Sequence, residues 1–301
     1  MATSNPFKFS IVLPARNEAF GLKSLLPELK RLYPEAEIIV VNDGSTDDTE
    51  AVARAQGVRV ISHPYAIGNG AAIKTGARHA NGEIIVFMDA DGQHDPEDIS
   101  RLLAKFSEGY EMIVGSRDGA SQASLGRHGA NYFYSRLASR MTGYTIEDLT
   151  SGFRVVRARH FQKFLYLLPN GFSYPTTITM AFLRSGLPVA YVPIRAGQRT
   201  TNSRSHIRLF HDGMRFFVII LKIGALFSPM RLFFPVSAFL SLSGLGLYVY
   251  NYATQGRFTN MSAFLLLSGL FTFLMGILSE QISSLHYRGV EQDLRRTRRD
   301  D

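Results

Sequence analysis

The sequence predicts an α/β domain with a doubly wound, mostly parallel sheet, followed by an amphipathic helix and two membrane-spanning helices. Three observations predict this order. Short apolar runs rich in β-branched residues alternate with amphipathic runs over Phe9–Ser116. That rhythm breaks down over Arg117–Pro193. Two long runs without any charged residue follow, at Leu232–Gly256 and Phe258–Ser279.

The predicted strands are apolar on both faces, as buried parallel strands are. They are Phe9–Pro14, Glu37–Val41, Val58–Ser62, Glu83–Met88, Met112–Ser116 and, later in the chain, Pro188–Ile194. The helices predicted between the first five are Ala19–Leu32, Thr46–Gln56, Gly70–Ala80 and Pro96–Ser107. Ser45 and Asp48 have the spacing of a capping-box variant that opens the second helix. Ligands of such sheets bind at the carboxyl ends of the strands, so residues that follow a strand are candidates for a site.

Cysteine is absent from the 301 residues, which excludes a disulfide framework, Cys-ligated zinc and thiol catalysis. The net charge is +8 and the sequence pI is about 9.7. A basic balance favours acidic partners, namely nucleic acid, phosphate-bearing substrates or anionic lipid. Nucleic acid is disfavoured because the arginines cluster near the uncharged runs and at the C-terminal end.

Each uncharged run exceeds the roughly 18–20 residues that mark a membrane-spanning helix. A pair of buried core helices is the alternative. The connection at Gln255–Arg257 is short, so the runs predict a hairpin. Arginines flank it on both sides, and the positive-inside rule then places both flanks, and with them the whole N-terminal part, in the cytoplasm. We expect the hairpin to lie in the cytoplasmic (inner) membrane. The flanking arginines are Arg231, Arg288, Arg295, Arg296, Arg298 and Arg299.

These observations divide the chain into four predicted segments. The α/β domain spans residues 1–204. Residues 205–228 are predicted to form a helix that lies on the membrane, because their charges lie apart from a large apolar face. The hairpin spans residues 229–285, and residues 286–301 form a basic cytoplasmic tail.

The stretch Ile84–Asp98 ends a predicted strand with two carboxylates, Asp89 and Asp91. Side chains two residues apart on a strand point the same way, and a carboxylate pair is costly unless a cation lies between them. Oxygen ligands suit Mg²⁺ or Mn²⁺, and Gln93 is close enough to add one. Such an ion normally shares its coordination with substrate phosphates. The alternative is an ordinary acidic loop before a helix, for which Asp95–Asp98 is a suitable N-terminus.

Three other strand ends carry polar, turn-forming residues. PARNEA follows the first strand and contains Glu18, NDGSTD follows the second and contains Asp43, and GSRD follows the fifth and contains Arg117. Lys74 lies near the start of the third helix, where a phosphate would find backbone amides and an ammonium group. The dinucleotide fingerprint G-x-G-x-x-G does not follow the first strand, and the sequence contains no Walker A motif.

Four stretches resemble the family 2 glycosyltransferases of GT-A fold: VLPARNEA, VVNDGSTDDT, IGNGAAIKTGARHANGEIIVFMDADGQHDPEDI and DLTSGFRVV. Within that family the chain is similar to the polyprenyl-phosphate sugar synthases, typified by dolichol-phosphate mannose synthase, over roughly residues 8–210. The resemblance implies metal-dependent, inverting transfer of a sugar from a UDP- or GDP-sugar to undecaprenyl or dolichyl phosphate. Asp89, Asp91 and Gln93 would hold the metal on the donor diphosphate. The donor nucleotide would lie against Pro14, Ala15, Arg16, Glu18, Asp43, Lys74 and Asp89.

Such a reaction brings two anionic phosphate groups together, so the acceptor phosphate requires cations. Arg117, Arg127 and Arg199 are the candidates for that clamp, and Asn131 could add a hydrogen bond. Arg195 is a second candidate for the position of Arg199, because the run RTTNSRSHI departs from the family pattern. The predicted catalytic residues are Asp89, Asp91, Arg117 and Arg127.

The pattern D-x-x-S-G-F-R of the family starts at Asp148. The resemblance implies that Asp148 and Ser151 line the sugar pocket. Arg154, the last residue of the pattern, is either part of the site or a structural ion-pair partner.

Other readings of the sequence stay open. A processive polysaccharide synthase would need a Q-x-x-R-W motif and more membrane spans, and this chain has no tryptophan. A glycosyltransferase acting on a lipid hydroxyl, as of diacylglycerol, or on a growing glycan would need a carboxylate base instead of several arginines. A membrane-anchored protein that only binds a nucleotide-sugar is the alternative without catalysis. The resemblance also implies that copies of the chain can assemble into a homo-oligomer.

Overall fold

The computed structural model describes residues 8–117, 135–136, 139–140, 143–171, 173–194, 224 and 228–300, with the backbone alone over residues 286–300. The chain forms two compact units. The first comprises residues 1–137 and 144–209, and the second comprises residues 138–143 and 210–301.

The first unit contains a seven-stranded sheet within the described residues. Its strands are β1 (Phe9–Ala15), β2 (Glu37–Asn42), β3 (Arg59–Ser62), β4 (Ile84–Phe87), β5 (Met112–Arg117), β6 (Arg154–Arg157) and β7 (Val189–Ile194). Their spatial order is β3-β2-β1-β4-β6-β5-β7. Neighbours pair in parallel, except that β6 is antiparallel to both β4 and β5. The predicted α/β fold with a mostly parallel sheet is therefore confirmed.

The first four helices of this unit connect the strands as the sequence predicts, and two further helices follow β6. They are α1 (Ala19–Leu32), α2 (Thr49–Ala55), α3 (Asn69–His79), α4 (Asp98–Phe106), α5 (Ala158–Lys163) and α6 (Tyr174–Arg184). The apolar residues of α1 recur at the spacing of helical turns, so they lie on one face of the helix. This face belongs to the same buried core as residues of β1 and β4. The core residues of α1 are Leu22, Leu25, Leu26 and Leu29.

The start of α2 differs from the prediction. The helix begins at Thr49, and the proposed capping box at Ser45 is wrong. The Ser45 hydroxyl instead accepts a hydrogen bond from the Asn17 amide at 3.0 Å. The Asp47 carboxylate accepts from the Thr49 amide at 3.0 Å. Ser45 is bound to another loop, so it is not available to cap the helix.

Strand β6 was not predicted. It is four residues long and carries an arginine at each end, Arg154 and Arg157, so its sequence lacks the pattern of a core strand. It is buried because it pairs with β4 on one side and β5 on the other. Only these long-range pairings identify it as a strand. It brings the D-x-x-S-G-F-R segment to the middle of the sheet.

The carboxyl ends of β1, β2, β4 and β5 lie at one edge of the sheet, which we call the carboxyl edge. From β1 the chain order proceeds through β2 and β3 in one direction, while β4 lies on the other side of β1. Such a reversal opens a crevice between the loops that follow the two inner strands. Residues that follow β1, β2 and β4 are therefore placed where ligands bind in sheets of this kind.

The second unit contains the hairpin of two long helices, α7 (Pro229–Gln255) and α8 (Asn260–Asp300). Gly256 ends α7 with a left-handed φ of 63°. The stretches Pro229–Gln255 and Asn260–Leu285 are long and apolar enough to span a membrane, with mean hydropathies of 1.8 and 2.1. Most of their large apolar side chains are exposed, in contrast to the alternative of buried core helices.

Small residues bring the two helices into close contact. The Ser237 hydroxyl donates to the Gly269 carbonyl oxygen at 2.8 Å. A Cβ on Gly269 would lie 3.0 Å from the Ser241 amide nitrogen, and a Cβ on Gly244 would lie 3.0 Å from the Leu265 Cβ. Such small-residue packing is typical of helix pairs in membranes.

Of the two predicted segments next to the hairpin, the structure describes the backbone of one and leaves most of the other outside the described residues. The backbone of α8 stays helical through residue 300, so residues 286–300 of the predicted tail continue the second helix. The predicted interfacial helix at 205–228 lies outside the described residues, except at Gly224 and Ser228.

Candidate active site

The loops that follow β1 and β2 are bound to each other at the carboxyl edge. The Asp43 amide donates to the Ala15 carbonyl oxygen at 2.9 Å. The Thr46 amide donates to Asn17 Oδ1 at 2.8 Å, and Asn17 has a left-handed φ of 57°. These contacts place the predicted nucleotide residues of the first motif beside those of the second.

The residues of PARNEA differ in exposure. Pro14 and Ala15 are buried at the end of β1, Arg16 is exposed, and Glu18 is half-buried just before α1. The Glu18 amide donates to Thr49 Oγ1 at 2.9 Å. The exposed guanidinium of Arg16 is thus available to a ligand at this edge, whereas Pro14 and Ala15 can contribute only contact surface.

Asp43 is 3% exposed and its carboxylate is held by its own chain. Oδ1 accepts from His63 Nδ1 at 2.8 Å and from the Ile67 amide at 2.9 Å, and Oδ2 accepts from the Gly68 amide at 2.8 Å. Burial raises the pKa of Asp43, but these hydrogen bonds and the neighbouring histidine outweigh burial and hold the pKa below its ordinary value. Asp43 therefore stays ionised and organises the loop 63–68.

Lys74 is engaged within the chain as well. Its ammonium donates to the Leu168 carbonyl oxygen at 3.1 Å and to Asn170 Oδ1. The first amides of α3 are also bound, since the Ala71 amide donates to the Asn170 carbonyl oxygen at 2.8 Å. Burial and the charge of Arg78 lower the pKa of Lys74. Lys74 thus holds the 168–171 loop, and its contact with the donor nucleotide stays a prediction.

Asp89 and Asp91 follow β4 at the same edge. The Asp89 side chain is 40% exposed, whereas Asp91 is 8% exposed. Asp91 Oδ1 accepts from the Gln93 amide at 3.1 Å, across a turn in which Gly92 has a φ of 74°. A Cβ on Gly21, in the first turn of α1, would collide with the Ala90 carbonyl oxygen. The absence of a side chain at Gly21 therefore lets α1 support the turn between the two aspartates.

The donor set at this turn fits a hard divalent cation that a ligand completes. Carboxylate oxygens of Asp89 and Asp91 and the side-chain oxygen of Gln93 are the kind of ligands that Mg²⁺ and Mn²⁺ take. Within the described ranges, no group of three or more His, Asp or Glu residues could hold a metal ion by itself. A cation here would need further oxygens, such as those of a diphosphate.

The D-x-x-S-G-F-R segment also lies close to Asp89. A Cβ on Gly152 would lie 3.2 Å from Asp89 Oδ2, and the Tyr174 hydroxyl donates to the Gly152 carbonyl oxygen at 3.2 Å. His94 stacks on Phe153 with ring centroids 4.9 Å apart, and its Nε2 lies 3.7 Å from Asp89 Oδ2. The sequence does not predict the role of Gly152. The residue matters because it has no side chain next to Asp89, and a glycine alone does not show which residue it lies against.

Arg117 and Asp148 were predicted in separate roles, and the structure pairs them. Arg117 Nε lies 3.0 Å from Asp148 Oδ2, and Arg117 Nη2 donates to Thr150 Oγ1 at 2.6 Å. Asp148 is 1% exposed. Burial raises its pKa, but Arg117 and the Thr150 amide and hydroxyl hold the pKa below its ordinary value. The assignments of Arg117 to the acceptor and Asp148 to the sugar stay predictions.

Ser151 and Arg154 lie beneath this pair. The Ser151 amide donates to Asp148 Oδ1 at 3.1 Å, and its buried Oγ has no hydrogen-bond partner within the described residues. Arg154 is fully buried and donates to the carbonyl oxygens of Ser151 and Pro175, the latter at 3.2 Å. No carboxylate in the described part of the chain forms an ion pair with Arg154, so the predicted ion-pair role finds no partner there.

Three predicted acceptor residues, Arg127, Asn131 and Arg199, lie outside the described residues, as does Arg195. The sequence analysis also missed a residue that the structure brings to the edge. His63 bridges Asp43 and Thr75, yet it follows β3 as a single histidine in a loop, with no motif around it.

Comparison with known proteins identifies both parts of the chain. The profile of Glycosyl transferase family 2 matches residues 10–165. The profile of the GtrB C-terminal hairpin matches residues 228–285. The first therefore covers the sheet up to β6, and the second covers the apolar part of the hairpin.

Relatives match over nearly the whole chain. An undecaprenyl-phosphate 4-deoxy-4-formamido-L-arabinose transferase of Klebsiella pneumoniae is 31% identical, over 93% of this chain and 89% of the relative. A putative glycosyltransferase of Bacillus subtilis, CsbB, is 28% identical, over 92% of this chain and 87% of the relative.

Solved structures agree on the fold. Glucosyl-3-phosphoglycerate synthase from Mycobacterium tuberculosis, in complex with phosphoglyceric acid, superposes with a TM-score of 0.59 at 24% identity, over 72% of this chain and 80% of that one. The same synthase with Mn²⁺, UDP and glucosyl-3-phosphoglycerate has a TM-score of 0.57 at 23% identity, over the same shares of both chains. With the family profile and the Klebsiella relative, this likeness establishes that the chain belongs to glycosyl transferase family 2 and is a glycosyltransferase of GT-A-like fold.

Proposed function

We propose that the chain transfers a sugar from a nucleotide-sugar to the phosphate of a polyprenyl lipid, with inversion at the anomeric carbon. The observation that carries this proposal is the 31% identity, over 93% of the chain, to an enzyme named for undecaprenyl phosphate. Because the alignment covers 93% of this chain, it extends beyond the sheet-containing unit. The products are a lipid-linked monophosphosugar and a nucleoside diphosphate.

The carboxyl edge supports a nucleotide-sugar as donor. Asp89, Asp91 and Gln93 would hold Mg²⁺ or Mn²⁺ against the donor diphosphate, and the exposed Arg16 lies at the same edge. When bound, the metal would act as a Lewis acid that stabilises the departing nucleoside diphosphate. Related folds have been solved with Mn²⁺ and UDP, which favours a uridine donor.

An acceptor that is already anionic suits the residues available. A phosphate oxygen is a nucleophile at neutral pH without a strong base, but its charge must be neutralised near the donor diphosphate. Arg117, whose side chain is about a third exposed, is oriented by Asp148 at the carboxyl edge. We assign it to the acceptor phosphate together with Arg127, Arg199 and Asn131. A lipid hydroxyl or a growing glycan would need a carboxylate base instead.

We place the enzyme in the cytoplasmic membrane, with two spans and with the catalytic domain and both termini in the cytoplasm. The hairpin profile and the two apolar helices support the membrane anchor. The arginines on both sides of the hairpin support the orientation. This arrangement would keep residues 1–204 at the surface where a lipid phosphate is presented.

The reaction is tested with full-length protein purified in detergent. UDP- and GDP-sugars are supplied with Mg²⁺ or Mn²⁺, with and without undecaprenyl phosphate, and nucleoside diphosphate release and extractable lipid-linked sugar are measured. We expect release that requires both the metal and the lipid phosphate. Turnover that ignores lipid phosphate but responds to diacylglycerol or to a glycan would refute the proposed acceptor.

A further inference from the structure

His63 connects two parts of the carboxyl edge. Its Nδ1 lies 2.8 Å from Asp43 Oδ1, and its Nε2 lies 2.9 Å from Thr75 Oγ1 on α3. The side chain is 10% exposed. The neutral tautomer that satisfies both contacts carries its proton on Nδ1, which donates to Asp43, while the Thr75 hydroxyl donates to Nε2. His63 thus ties the end of β2 to helix α3.

Asp43 also anchors the other end of the loop that begins at His63. Its two oxygens accept from the amides of Ile67 and Gly68, at 2.9 and 2.8 Å. The His63 amide donates to the Asn42 carbonyl oxygen at 2.9 Å. The Asp43 carboxylate therefore holds both ends of the loop 63–68. The contact with the His63 ring holds the first end, and the contacts with the two amides hold the second.

The middle of the loop packs on the turn after Asp43. Gly44 has a left-handed φ of 61°, and a Cβ there would lie 2.5 Å from the carbonyl carbon of Tyr65. The loop backbone therefore rests directly on the turn, whereas the Tyr65 side chain is 68% exposed. A loop fixed in this way loses little conformational entropy when a ligand binds.

We propose that His63 is a positioning residue for the donor nucleotide. It holds the Asp43 carboxylate and the loop 63–68 in the conformation that receives the nucleotide at the carboxyl edge. This inference rests on the proposed function for the presence of a nucleotide there. It assigns a role to a residue outside the acidic and glycine-rich motifs. A purely structural histidine would contribute to folding but would leave nucleotide affinity unchanged in the folded protein.

Two substitutions separate the ring contacts of His63. In His63→Asn the amide nitrogen lies near the position of Nδ1 and can still donate to Asp43. In His63→Gln the amide lies near the position of Nε2, so the contact with Thr75 is kept and the contact with Asp43 is lost. His79→Gln is the matched control, because His79 lies on α3 with Thr75 and its Nδ1 donates to the Thr75 carbonyl oxygen at 2.8 Å.

The readout is binding, so it does not depend on the acceptor. The dissociation constants of UDP and of GDP, each with Mn²⁺, are measured by calorimetry on the full-length protein in detergent. Melting temperatures without nucleotide are recorded in parallel. For the nucleotide that binds, we expect His63→Gln to raise the dissociation constant about tenfold, the effect of one lost hydrogen bond to a charged group. His63→Asn and His79→Gln should stay within about twofold of the unmodified chain.

Equal affinity in His63→Gln and the unmodified chain would overturn the inference, as would equal weakening by His63→Asn and His63→Gln. If His63→Gln does not fold, His63→Ala removes the hydrogen bond to Asp43 and leaves the Ile67 and Gly68 amides on that carboxylate. An unchanged dissociation constant in His63→Ala would also overturn the inference. A failure to bind either nucleotide in the unmodified chain would instead refute the proposed function, and the inference with it.

Discussion

Arg117 and Asp148 form a two-point ion pair at the carboxyl edge of the sheet, although 31 residues separate them. Arg117 Nε lies 3.0 Å from Asp148 Oδ2, and Nη2 lies 3.3 Å from Oδ1. The carboxylate is buried while part of the arginine side chain is exposed. The pair therefore fixes a cation in a defined orientation where an anionic acceptor is proposed to bind.

Asp148→Asn is expected to destabilise the fold by about 2 kcal/mol, because it leaves the Arg117 guanidinium without its charged partner in a half-buried site. The melting temperature of the full-length protein in detergent measures the effect. Glu108→Gln is the control, since it breaks the exposed ion pair between Lys105 and Glu108 and should leave the melting temperature nearly unchanged. Equal melting temperatures of Asp148→Asn and the control would contradict the structural role of the pair.

The same pair predicts how stability depends on pH. The pKa of Asp148 in the folded protein lies below its ordinary value, so the carboxylate contributes stability above the ordinary carboxyl pKa. That contribution is lost as the pH falls through the folded pKa. The difference in melting temperature between the unmodified chain and Asp148→Asn should therefore be largest near neutral pH and shrink on acidification. A difference that stays constant down to acidic pH would show that Asp148 contributes through packing alone.

Arg117→Lys tests the proposed acceptor role. Lysine keeps the charge but cannot make the two-point contact with Asp148 that orients the cation. We expect the KM for the lipid phosphate to rise roughly tenfold, which corresponds to about 1.4 kcal/mol, with the KM for the donor nearly unchanged. Steady-state kinetics with each substrate varied in turn gives both constants. A variant that weakens the donor alone would move Arg117 to the donor site.

Gly21→Ala tests whether α1 supports the turn between Asp89 and Asp91. The new Cβ would collide with the Ala90 carbonyl oxygen between Asp89 and Asp91, so α1 or the turn must move. Overpacking of this kind costs about 1–3 kcal/mol. We expect lower turnover and a higher Mn²⁺ concentration for half-maximal rate. Gly246→Ala, also in a helix but with no atom within 4 Å of the new Cβ, should leave both unchanged.

Gly269→Leu tests the packing of the hairpin. A side chain at Gly269 would meet the Ser241 backbone at 3.0 Å and displace the hydrogen bond from Ser237. We expect α7 and α8 to separate and the melting temperature in detergent to fall. Gly246→Leu introduces the same side chain on α7 where its Cβ meets no neighbour. If both variants melt alike, the close contact at Gly269 does not stabilise the hairpin.

Several residues show where prediction from the sequence stops. Asp89 and Asp91 were identified because a carboxylate pair after an apolar strand is a local pattern that burial alone would not favour. Gly152 and Gly21 also shape the turn at Asp89–Asp91, but each acts by lacking a side chain at a contact far away in sequence. Lys74 was predicted from its position near a helix start, and only the folded chain shows that its ammonium holds the 168–171 loop.

The sequence by itself determined the parallel strands, the helices between them, the two apolar spans and the motifs by which the family is identified. These features follow from periodicity and composition over short stretches, because a buried strand or a membrane span must be apolar along its own length. The tertiary structure decided the antiparallel strand β6, the pairing of Arg117 with Asp148 and the bridge from Asp43 through His63 to Thr75. Each of these depends on packing between segments distant in sequence, and no local pattern specifies which partner a polar side chain will meet.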